Sequence, residues 1–343
     1  MHILITGVSG QIGTNLALRC IADGHQVFGI DKRPNSWTTD ITQCRLDLTA
    51  YDARLRITES LLDWGRPDVA IHLAAHAKVH ELVLEPLKAL ENICMAQQVL
   101  EYCRTNNVPI IFSSSREVYG DIYRLKTFEQ DVDFTLVASS YAASKLSAEA
   151  LIYSYQRCYG LPYIIFRLSN VYGRYDNDLT RMERVISVFI KNIRKRETLT
   201  VFGRNKILDF TYIDDCIDGI MLGINALVAG TLANQTFNLA KGEGHTLEQL
   251  CHCLAEILDT DIRIKYLPAQ RGEISRYVAA LDKAKKMLGF SPKVSLMEGI
   301  CKTIAWADEE SNKERVTRIN STSNFFNRSF GDKPRDGPRA LQK

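Results

Sequence analysis

Tyr141 and Lys145 form a pair whose residue types and spacing suit acid–base chemistry. They lie near the start of a helical pattern, where a spacing of four residues places both side chains on one face. A neighbouring ammonium group and the positive ring of a bound cofactor would lower the pKa of the phenol, so the tyrosine can act as a base. The alternative is a tyrosine and a lysine on a solvated helix face, since this spacing is common by chance.

Three serines, Ser113–Ser115, follow an apolar run that predicts a buried strand. A hydroxyl at the carboxyl end of such a strand lies in the crevice where doubly wound α/β folds bind their ligands. The serines are therefore candidates for a site shared with Tyr141 and Lys145. A polar turn at a strand end is the competing interpretation.

A glycine-rich turn with the sequence TGVSGQIG occupies residues 6–13, between the first predicted strand and the first predicted helix. Gly7, Gly10 and Gly13 allow a tight turn and a close approach of the backbone to a pyrophosphate. The free N–H groups at the helix N-terminus then bind the phosphates. Because strand, turn and helix occur in the required order, the motif predicts a dinucleotide site.

Asp31 ends the second predicted strand. Its carboxylate can accept hydrogen bonds from both hydroxyls of an adenosine ribose, and it would repel a 2′-phosphate. We therefore predict NAD rather than NADP as the cofactor. Lys32 and Arg33 follow directly and weaken this preference.

Apolar runs rich in β-branched residues alternate with amphipathic helical stretches. This alternation predicts an α/β fold with a parallel sheet covered by helices on both faces, the doubly wound Rossmann architecture. The predicted strands are His2–Thr6, Gln26–Asp31, Val69–Ala75, Pro109–Ser115, Tyr163–Ser169, Leu199–Phe202, Asp209–Ile213 and Thr236–Ala240, and the longest early helices are Gln11–Asp23, Pro86–Asn106 and Ser140–Tyr159.

The alternation becomes less regular after Tyr172. We predict a Rossmann domain over residues 1–172, to which segments around 204–240 return, and a smaller, mainly substrate-binding C-terminal domain over 173–310. The tail 311–343 is polar and rich in Asn, Ser and Arg. It cannot bury much apolar surface and is predicted to be disordered.

The composition is that of an ordinary globular protein, with 343 residues, 45% hydrophobic and 24% charged residues and a formal charge of +3. This charge does not predict nucleic-acid binding, and no run approaches the roughly 20 apolar residues of a transmembrane helix. The N-terminus lacks signal-peptide features. The nine cysteines lie mostly in apolar segments, which predicts reduced thiols and a cytoplasmic location. No metal site is predicted, because Cys251 and Cys253 would point apart on a helix.

The order of several motifs resembles that of the extended short-chain dehydrogenase/reductase family. Its members include NAD-dependent nucleotide-sugar 4-epimerases, dehydratases and decarboxylases. The resemblance covers about residues 1–306 and implies a homodimer paired through two long helices. The motifs are TGVSGQIG (6–13), HLAA (72–75), SSSREVYG (113–120), YAASK (141–145), FRLSNVYG (166–173), LDFTYIDD (208–215) and RGE (271–273).

The resemblance implies a catalytic role for Ser115, Tyr141 and Lys145. Tyr141 would remove the proton of the sugar's 4-hydroxyl while hydride passes from C4 to NAD, Ser115 would hydrogen-bond the same hydroxyl, and Lys145 would bind the nicotinamide ribose. Asn170 would hold the substrate phosphates, and the two-pronged guanidinium of Arg271 would clamp the diphosphate. The implied cofactor-binding residues are Gly7, Gly10, Gln11, Ile12, Gly13, Asp31, Asp47, Leu48, Leu73, Ala74, Ala75, Tyr141 and Lys145.

Glu117 and Arg116 bear on which of the family's reactions this protein catalyses. Dehydratases and decarboxylases of the family carry a glutamate at the position of Glu117, and such a carboxylate can remove the acidic C5 proton once C4 is a ketone. Arg116 stands where dehydratases often have an aspartate, and an arginine cannot donate a proton to the leaving hydroxyl. Leu208 replaces an arginine that many relatives use for substrate phosphate or carboxylate, with Lys206 as a candidate substitute. This replacement disfavours a hexuronic-acid decarboxylase.

Three more polar residues have two interpretations each. His76 and His80 follow the HLAA motif and are candidates to reach the sugar, although a lone histidine is more often structural. Asn92 lies in a long helix at a position that the resemblance puts near the active-site loop. A buried helix contact is the alternative for Asn92.

We therefore predict a NAD-dependent nucleotide-sugar epimerase/dehydratase with a UDP-sugar substrate, in which Glu117 adds C5 chemistry to C4 oxidation. Two alternatives stay open. One is a simple UDP-hexose 4-epimerase without C5 chemistry, and the other is a non-catalytic NAD-binding regulatory protein of the same fold. The intact Ser115, Tyr141 and Lys145 disfavour the regulator.

Overall fold

A computed structural model describes residues 1–122, 124–176 and 184–311, so the tail predicted to be disordered lies, apart from Ser311, outside the described residues. The strands are β1 (His2–Thr6), β2 (Gln26–Asp31), β3 (Thr42–Arg45), β4 (Val69–His72), β5 (Ile110–Ser115), β6 (Tyr163–Leu168), β7 (Asn170–Tyr172), β8 (Leu199–Phe202), β9 (Ile207–Tyr212), β10 (Gln235–Leu239), β11 (Gly244–Thr246) and β12 (Ile264–Leu267). The α-helices are α1 (Gln11–Ala22), α2 (Ala53–Ser60), α3 (Val79–Leu84), α4 (Leu87–Asn106), α5 (Ser140–Tyr159), α6 (Val185–Arg194), α7 (Ile213–Val228), α8 (Leu247–Ile257), α9 (Asp282–Leu288) and α10 (296–311).

Seven strands form one parallel sheet in the order β3-β2-β1-β4-β5-β6-β10. The chain starts in the middle at β1, winds outward to β3, then crosses back to β4 and winds outward on the other side. This reversal leaves a crevice at the carboxyl ends of β1 and β4, where doubly wound folds bind their ligands. The predicted α/β Rossmann fold is confirmed.

The central sheet is apolar on both faces. In β6, Ile164 and Phe166 pack into one core cluster, whereas Tyr163 and Ile165 pack into the cluster on the opposite face. This alternation follows the period of two along a strand. A strand buried on both faces is a continuous apolar run in the sequence, and this is why the inner strands could be predicted.

β3 was missed by the sequence analysis. Its sequence, TQCR, is polar, and all four residues are partly or fully exposed. It pairs with β2 at one edge of the sheet, so it does not need an apolar run. Pairing with a neighbouring strand, rather than its own side chains, makes this segment a strand.

The later strands fall into three groups. β10 joins the central sheet beside β6, β9 lies between β7 and β11 in a three-stranded sheet, and β8 pairs with β12. The helix α7, which connects β9 to β10, packs against α1 and β6. The predicted domain boundary near residue 172 stays a prediction.

Candidate active site

A cavity of about 1320 Å³ opens at the carboxyl ends of the central strands. Its walls come from the turn after β1, the ends of β2, β4, β5 and β6, the start of α5, and later segments around α6, β9 and residues 270–274. Small-molecule sites usually measure roughly 300–1,000 Å³. The volume of this cavity therefore exceeds that of a usual single-ligand site.

Two glycines of the turn after β1 lie so close to neighbouring backbone that neither position can carry a side chain. Gly7 has a φ of +76°, and a Cβ there would lie 2.6 Å from the Ala74 nitrogen. A Cβ on Gly13 would lie 2.3 Å from the Gly7 oxygen. The turn is closed by a hydrogen bond of 3.0 Å from the Gly10 N–H to the Gly7 oxygen. The turn thus presents the N-terminus of α1 to the cavity, as an anion-binding site requires.

Asp31 is buried at the end of β2 and lines the cavity. The Ser9 N–H donates to its Oδ2 at 3.1 Å, and the Arg33 N–H donates to its Oδ1 at 3.1 Å. These two bonds fix the orientation of the carboxylate. They leave it lone pairs for further hydrogen bonds, because its two oxygens accept about four in total.

The other predicted cofactor residues lie on the same wall of the cavity. The buried Nε2 of Gln11 has no hydrogen-bond partner within the described ranges, although a buried polar group normally has one. A ligand that accepts a hydrogen bond would satisfy it. The glycine turn, the Gln11 amide donor and the fixed Asp31 acceptor together fit a dinucleotide. The cavity-lining members of the predicted set are Gly7, Gly10, Gln11, Ile12, Gly13, Asp31, Asp47, Leu48, Leu73, Ala74, Ala75, Tyr141 and Lys145.

The start of α5 fixes the positions of Tyr141 and Lys145. Ser139 precedes the helix, and its Oγ accepts a hydrogen bond of 3.2 Å from the Ala142 N–H, which caps the N-terminus. The helix then runs unbroken to Tyr159. Tyr141 and Lys145 therefore lie one turn apart on the same face.

Ser115, Tyr141 and Lys145 all line the cavity where β5 ends. The Tyr141 side chain is hydrogen-bonded to Ser115. Lys145 Nζ donates to the Ser113 oxygen at 2.7 Å and lies 5.9 Å from the centre of the Tyr141 ring. The structure brings the three predicted catalytic side chains together, and their roles stay a proposal.

The protein's own groups raise the pKa of Tyr141 rather than lower it. Burial raises it to about 12, and the hydrogen bond with Ser115 and the charges of Arg184 and Arg116 oppose this rise only in part. Burial also lowers the pKa of Lys145 to about 8, so the side chain loses its proton more readily than an exposed lysine. The lowering predicted from the sequence also counted on the positive ring of a bound cofactor, which the protein's own groups do not replace. A further positive charge beside the phenol is needed to activate it.

Arg116 and Glu117 form an ion pair next to Ser115. Arg116 Nη2 lies 2.9 Å from Glu117 Oε1, and both residues line the cavity. Glu117 Oε2 and Arg116 Nη1 are buried and have no hydrogen-bond partner among the described residues. Burial raises the pKa of the Glu117 carboxyl, and the Arg116 guanidinium opposes that rise.

Lys206 lies two residues before Leu208, which stands in the place of the expected arginine. It is 5% exposed, lines the cavity and forms an ion pair with Glu273. Leu208 also lines the cavity but brings no charge. The segment that begins β9 therefore still supplies a cation, although that cation already has an acidic partner.

The two predicted phosphate-binding residues have different locations. Asn170 lines the cavity, and its Nδ2 donates to the Asp209 oxygen at 3.1 Å. Arg271 is exposed and lies outside the residues that line the cavity. The clamp role of Arg271 would require it to move, and this role stays a prediction.

Asn92 connects the loop after β4 to α5. Its Oδ1 accepts from the His76 N–H at 2.8 Å, and its Nδ2 donates to the His76 oxygen and to Ser144 Oγ, each at 3.1 Å. His76 lines the cavity, and its Nε2 lies 2.6 Å from Glu91 Oε2. His80 is exposed and does not line the cavity. Asn92 therefore combines the two interpretations, as a buried helix contact that holds the loop beside the site.

Arg184 and Asp176 were not recognised from the sequence. Both line the cavity, Arg184 Nε lies 3.1 Å from Asp176 Oδ1, and Arg184 Nη1 donates to the Val171 oxygen at 2.6 Å. Burial raises the pKa of Asp176 to about 7, against the effect of Arg184. The segment after Tyr172 was interpreted as a polar loop, and its composition carries no signal that it returns to the cavity.

Membrane helices and metal clusters were also sought within the described ranges. No helix there is long and apolar enough to cross a membrane. No group of three or more His, Cys, Asp or Glu side chains in that part of the chain could hold a metal ion.

Known proteins share this architecture. A UDP-glucuronate 4-epimerase of Thermodesulfobacterium geofontis is 27% identical over 326 residues, which are 90% of this chain and 96% of that protein. A UDP-glucose 4-epimerase of Thermotoga maritima, solved with UDP-glucose, matches with a TM-score of 0.83 and 29% identity over 90% of this chain and 99% of that one. A UDP-glucuronic acid 4-epimerase of Bacillus cereus, solved with UDP-glucuronic acid and NAD, matches with a TM-score of 0.79 and 26% identity over 90% and 99% of the two chains. Residues 3–240 match the family model itself, and the protein belongs to the NAD dependent epimerase/dehydratase family.

Proposed function

We propose that this protein is a NAD-dependent UDP-sugar 4-epimerase. One observation carries the proposal: Ser115, Tyr141 and Lys145 line the same cavity as the Gly7 turn and Asp31. A base thus lies in one continuous space with a site that fits the cofactor. The similar 4-epimerases act on UDP-sugars, which supports the nucleotide and the sugar class.

When bound at the Gly7 turn and Asp31, NAD would supply the redox chemistry, namely reversible hydride transfer at C4 of the sugar. Tyr141 Oη takes the proton of the 4-hydroxyl when hydride leaves and gives it back when hydride returns. Ser115 hydrogen-bonds the same hydroxyl and Tyr141, and so holds them in line. Lys145 is held by the Ser113 oxygen at a point where its Nζ can also reach a ribose hydroxyl.

Asn170, Lys206 and Arg271 are proposed to bind the substrate diphosphate. Asn170 and Lys206 line the cavity, so they can contact a ligand directly. Lys206 would share its charge between Glu273 and a phosphate. Arg271 would act after a movement of its exposed side chain toward the cavity.

The proposal is tested with a panel of UDP-, dTDP- and GDP-sugars and purified, NAD-loaded protein. A UDP-sugar should give a product of unchanged mass with a new NMR spectrum. Loss of water would instead indicate a dehydratase. If no sugar gives NADH absorbance or a product, the protein is the non-catalytic NAD-binding regulator.

A second candidate function adds proton abstraction at C5. It is favoured by Glu117 Oε2, which is buried in the cavity wall without a partner among the described residues. The raised pKa of this carboxyl makes it a better base than an exposed glutamate. Arg116 occupies the place of a proton donor, so elimination would need an acid from elsewhere.

Solvent deuterium distinguishes the two functions. If Glu117 removes the C5 proton, deuterium should enter C5 with the unmodified protein and fail to enter with Glu117→Gln, while hydride transfer to NAD continues. If no deuterium enters in either protein and Glu117→Gln keeps its turnover, the protein is a simple 4-epimerase.

We also propose the domain division at about residue 172 and a homodimer. The exposed leucines of α3 and α4 support the dimer, because Leu84, Leu87 and Leu90 are 69%, 74% and 62% exposed. Pairing of α4 and α5 across a two-fold axis, as the resemblance implies, would bury apolar surface of α4, and two-fold dimers are the commonest closed assemblies.

A further inference from the structure

The cavity wall next to Ser115 carries two buried polar atoms without partners. Glu117 is 5% exposed, its Oε1 pairs with Arg116 at 2.9 Å, and its Oε2 has no partner among the described residues. Arg116 Nη1 is likewise buried and unpartnered. Buried polar groups nearly always have a hydrogen-bond partner. Because both residues line the cavity, a ligand is the expected source of the missing partners.

The two atoms differ in hydrogen-bonding type. The carboxylate oxygen can only accept, and the guanidinium nitrogen can only donate. A hydroxyl group both donates and accepts, so a single hydroxyl can satisfy Glu117 and Arg116 together. A carboxylate can only accept. It would bond to Arg116 but would face the like charge of Glu117, which disfavours binding.

The neighbouring cations are also held by acids. Lys206 pairs with Glu273, and Arg184 pairs with Asp176 at 3.1 Å. Each of these residues lines the cavity. A carboxylate on the ligand would therefore compete with Glu273 for Lys206, or with Asp176 for Arg184.

The Arg116–Glu117 pair adjoins the proposed catalytic residues. The Glu117 N–H donates to Ser115 Oγ at 3.2 Å, and both members of the pair line the same cavity as Ser115 and Tyr141. If Tyr141 holds the sugar's 4-hydroxyl, the substituents on C3 and C5 are the nearest parts of the sugar. The group on C5 is a hydroxymethyl in a hexose and a carboxylate in a hexuronate.

We propose that Arg116 and Glu117 form a specificity pair that binds the C6 hydroxyl of a neutral UDP-hexose and rejects the corresponding UDP-hexuronate. This rests on the proposed function, because it needs the 4-hydroxyl at Tyr141. The pair deepens that function by naming the substrate class. Arg116 donates to the hydroxyl oxygen, and the hydroxyl donates to Glu117 Oε2.

Calorimetric binding to the full-length, NAD-loaded protein provides the test, with UDP-glucose and UDP-glucuronate as probes. The unmodified protein should bind UDP-glucose at least about tenfold more tightly, because like charges in contact weaken binding strongly. Glu117→Gln removes the repulsion and frees Arg116, so the ratio should move toward UDP-glucuronate by about tenfold or more. In the double variant Arg116→Met/Glu117→Gln, the freed cation is gone, and the gain for UDP-glucuronate should disappear.

Two controls separate this effect from a general disturbance. Glu91→Gln changes another cavity-lining acid, which pairs with His76 instead, and it should leave the ratio within about twofold. UDP-xylose has no C6, so the unmodified protein should bind it more weakly than UDP-glucose, and Glu117→Gln should reduce that difference.

Three results would overturn the proposal. They are equal binding of UDP-glucose and UDP-glucuronate by the unmodified protein, an unchanged ratio in a folded Glu117→Gln variant, and equal binding of UDP-xylose and UDP-glucose. If the protein binds NAD but none of the UDP-sugars, the proposed function fails and the specificity pair fails with it. Binding of all three probes with equal affinity would contradict the specificity pair and leave the proposed function intact.

Discussion

The two ends of the cavity are built in different ways. The cofactor end consists of the Gly7–Gly13 turn and Asp31, and backbone atoms make its main contacts. The other end, which we propose binds the substrate, includes the ion pairs Arg116–Glu117 and Lys206–Glu273, and side chains make its main contacts. A backbone contact excludes substitution by steric overlap, whereas a side-chain pair can be exchanged without moving the chain.

This difference separates what the fold requires from what the substrate requires. The cofactor end tolerates almost no change, since a Cβ at Gly7 or Gly13 would overlap neighbouring backbone. At the substrate end, a change of charge alters what the wall recognises while the strands beneath stay in place. We expect substitutions at the two ends to have separable effects on cofactor binding and on substrate choice.

Tyr141→Phe should give the largest effect, a loss of turnover of about a hundred- to ten-thousandfold, since this is the usual range for a positioned general base. NAD affinity should change little, because the hydroxyl faces the substrate end. Tyr153→Phe on the same helix is the matched control and should keep its turnover. Steady-state kinetics and NAD titration measure both. Equal losses in the two variants would show that the tyrosine hydroxyls act on the helix rather than on the reaction.

Binding of NAD⁺ at the cofactor end should change the pH at which Tyr141 loses its proton. The Tyr141 pKa is about 12 when only the protein's own groups act on it, and a positive nicotinamide ring would stabilise the phenolate and lower this pKa. The difference in phenolate absorbance between the unmodified protein and Tyr141→Phe should therefore appear at lower pH with NAD⁺. NADH has nearly the same shape without the positive ring and should shift the titration less. The same shift with both forms would rule out the charge as the cause.

Gly13→Ala should distort the glycine turn and weaken NAD binding. The new Cβ would lie 2.3 Å from the Gly7 oxygen, so the turn must move, at a cost of about 1–3 kcal/mol in stability and about tenfold or more in NAD affinity. Gly24→Ala is the control, because Gly24 has a φ of +81° with no atom within 4 Å of the new Cβ. It should lose about 1–2 kcal/mol through backbone strain and keep its NAD affinity. Thermal unfolding and calorimetry measure these quantities.

Asp31→Ala should narrow the preference for NAD over NADP by about tenfold, because the loss of a hydrogen-bonding charge costs roughly 1.5–3 kcal/mol. Lys32 and Arg33 would then be free to attract the 2′-phosphate. Asp23→Ala removes a surface acid that pairs with Arg19 at the far end of α1, and it should leave the preference unchanged. Equal affinity of the unmodified protein for NAD and NADP would contradict the role of Asp31.

The smallest effect on chemistry is expected from the dimer surface, which belongs to neither end. Leu87→Glu together with Leu90→Glu should convert a dimer into a monomer, with turnover within a few-fold, because both side chains point into solvent in one protomer. Light scattering gives the mass. A monomeric mass for the unmodified protein at micromolar concentration would exclude the dimer.

The sequence alone determined the architecture and most of the cofactor end. Continuous apolar runs rich in β-branched residues, separated by helical stretches, predicted β1, β2, β4, β5 and β6, because strands buried on both faces must be apolar throughout. The glycine turn, Asp31 and the Tyr141–Lys145 spacing were also recognisable. In each of these motifs, the groups that act together lie on one element or on adjacent elements. Their spacing along the chain therefore indicates how close they are in the folded protein.

Only the tertiary structure decided the electrostatics of the site. Lys206 and Glu273 are 67 residues apart in the chain, and no local pattern predicts that they pair. The edge strand β3 likewise depends on its neighbour rather than on its own residues. The sequence predicted that Lys145 and the positive ring of a cofactor would lower the Tyr141 pKa, but it could not show that the protein's own groups raise this pKa to about 12. Burial is the reason, because it penalises the charged form of a group, and it depends on every segment that packs around that group.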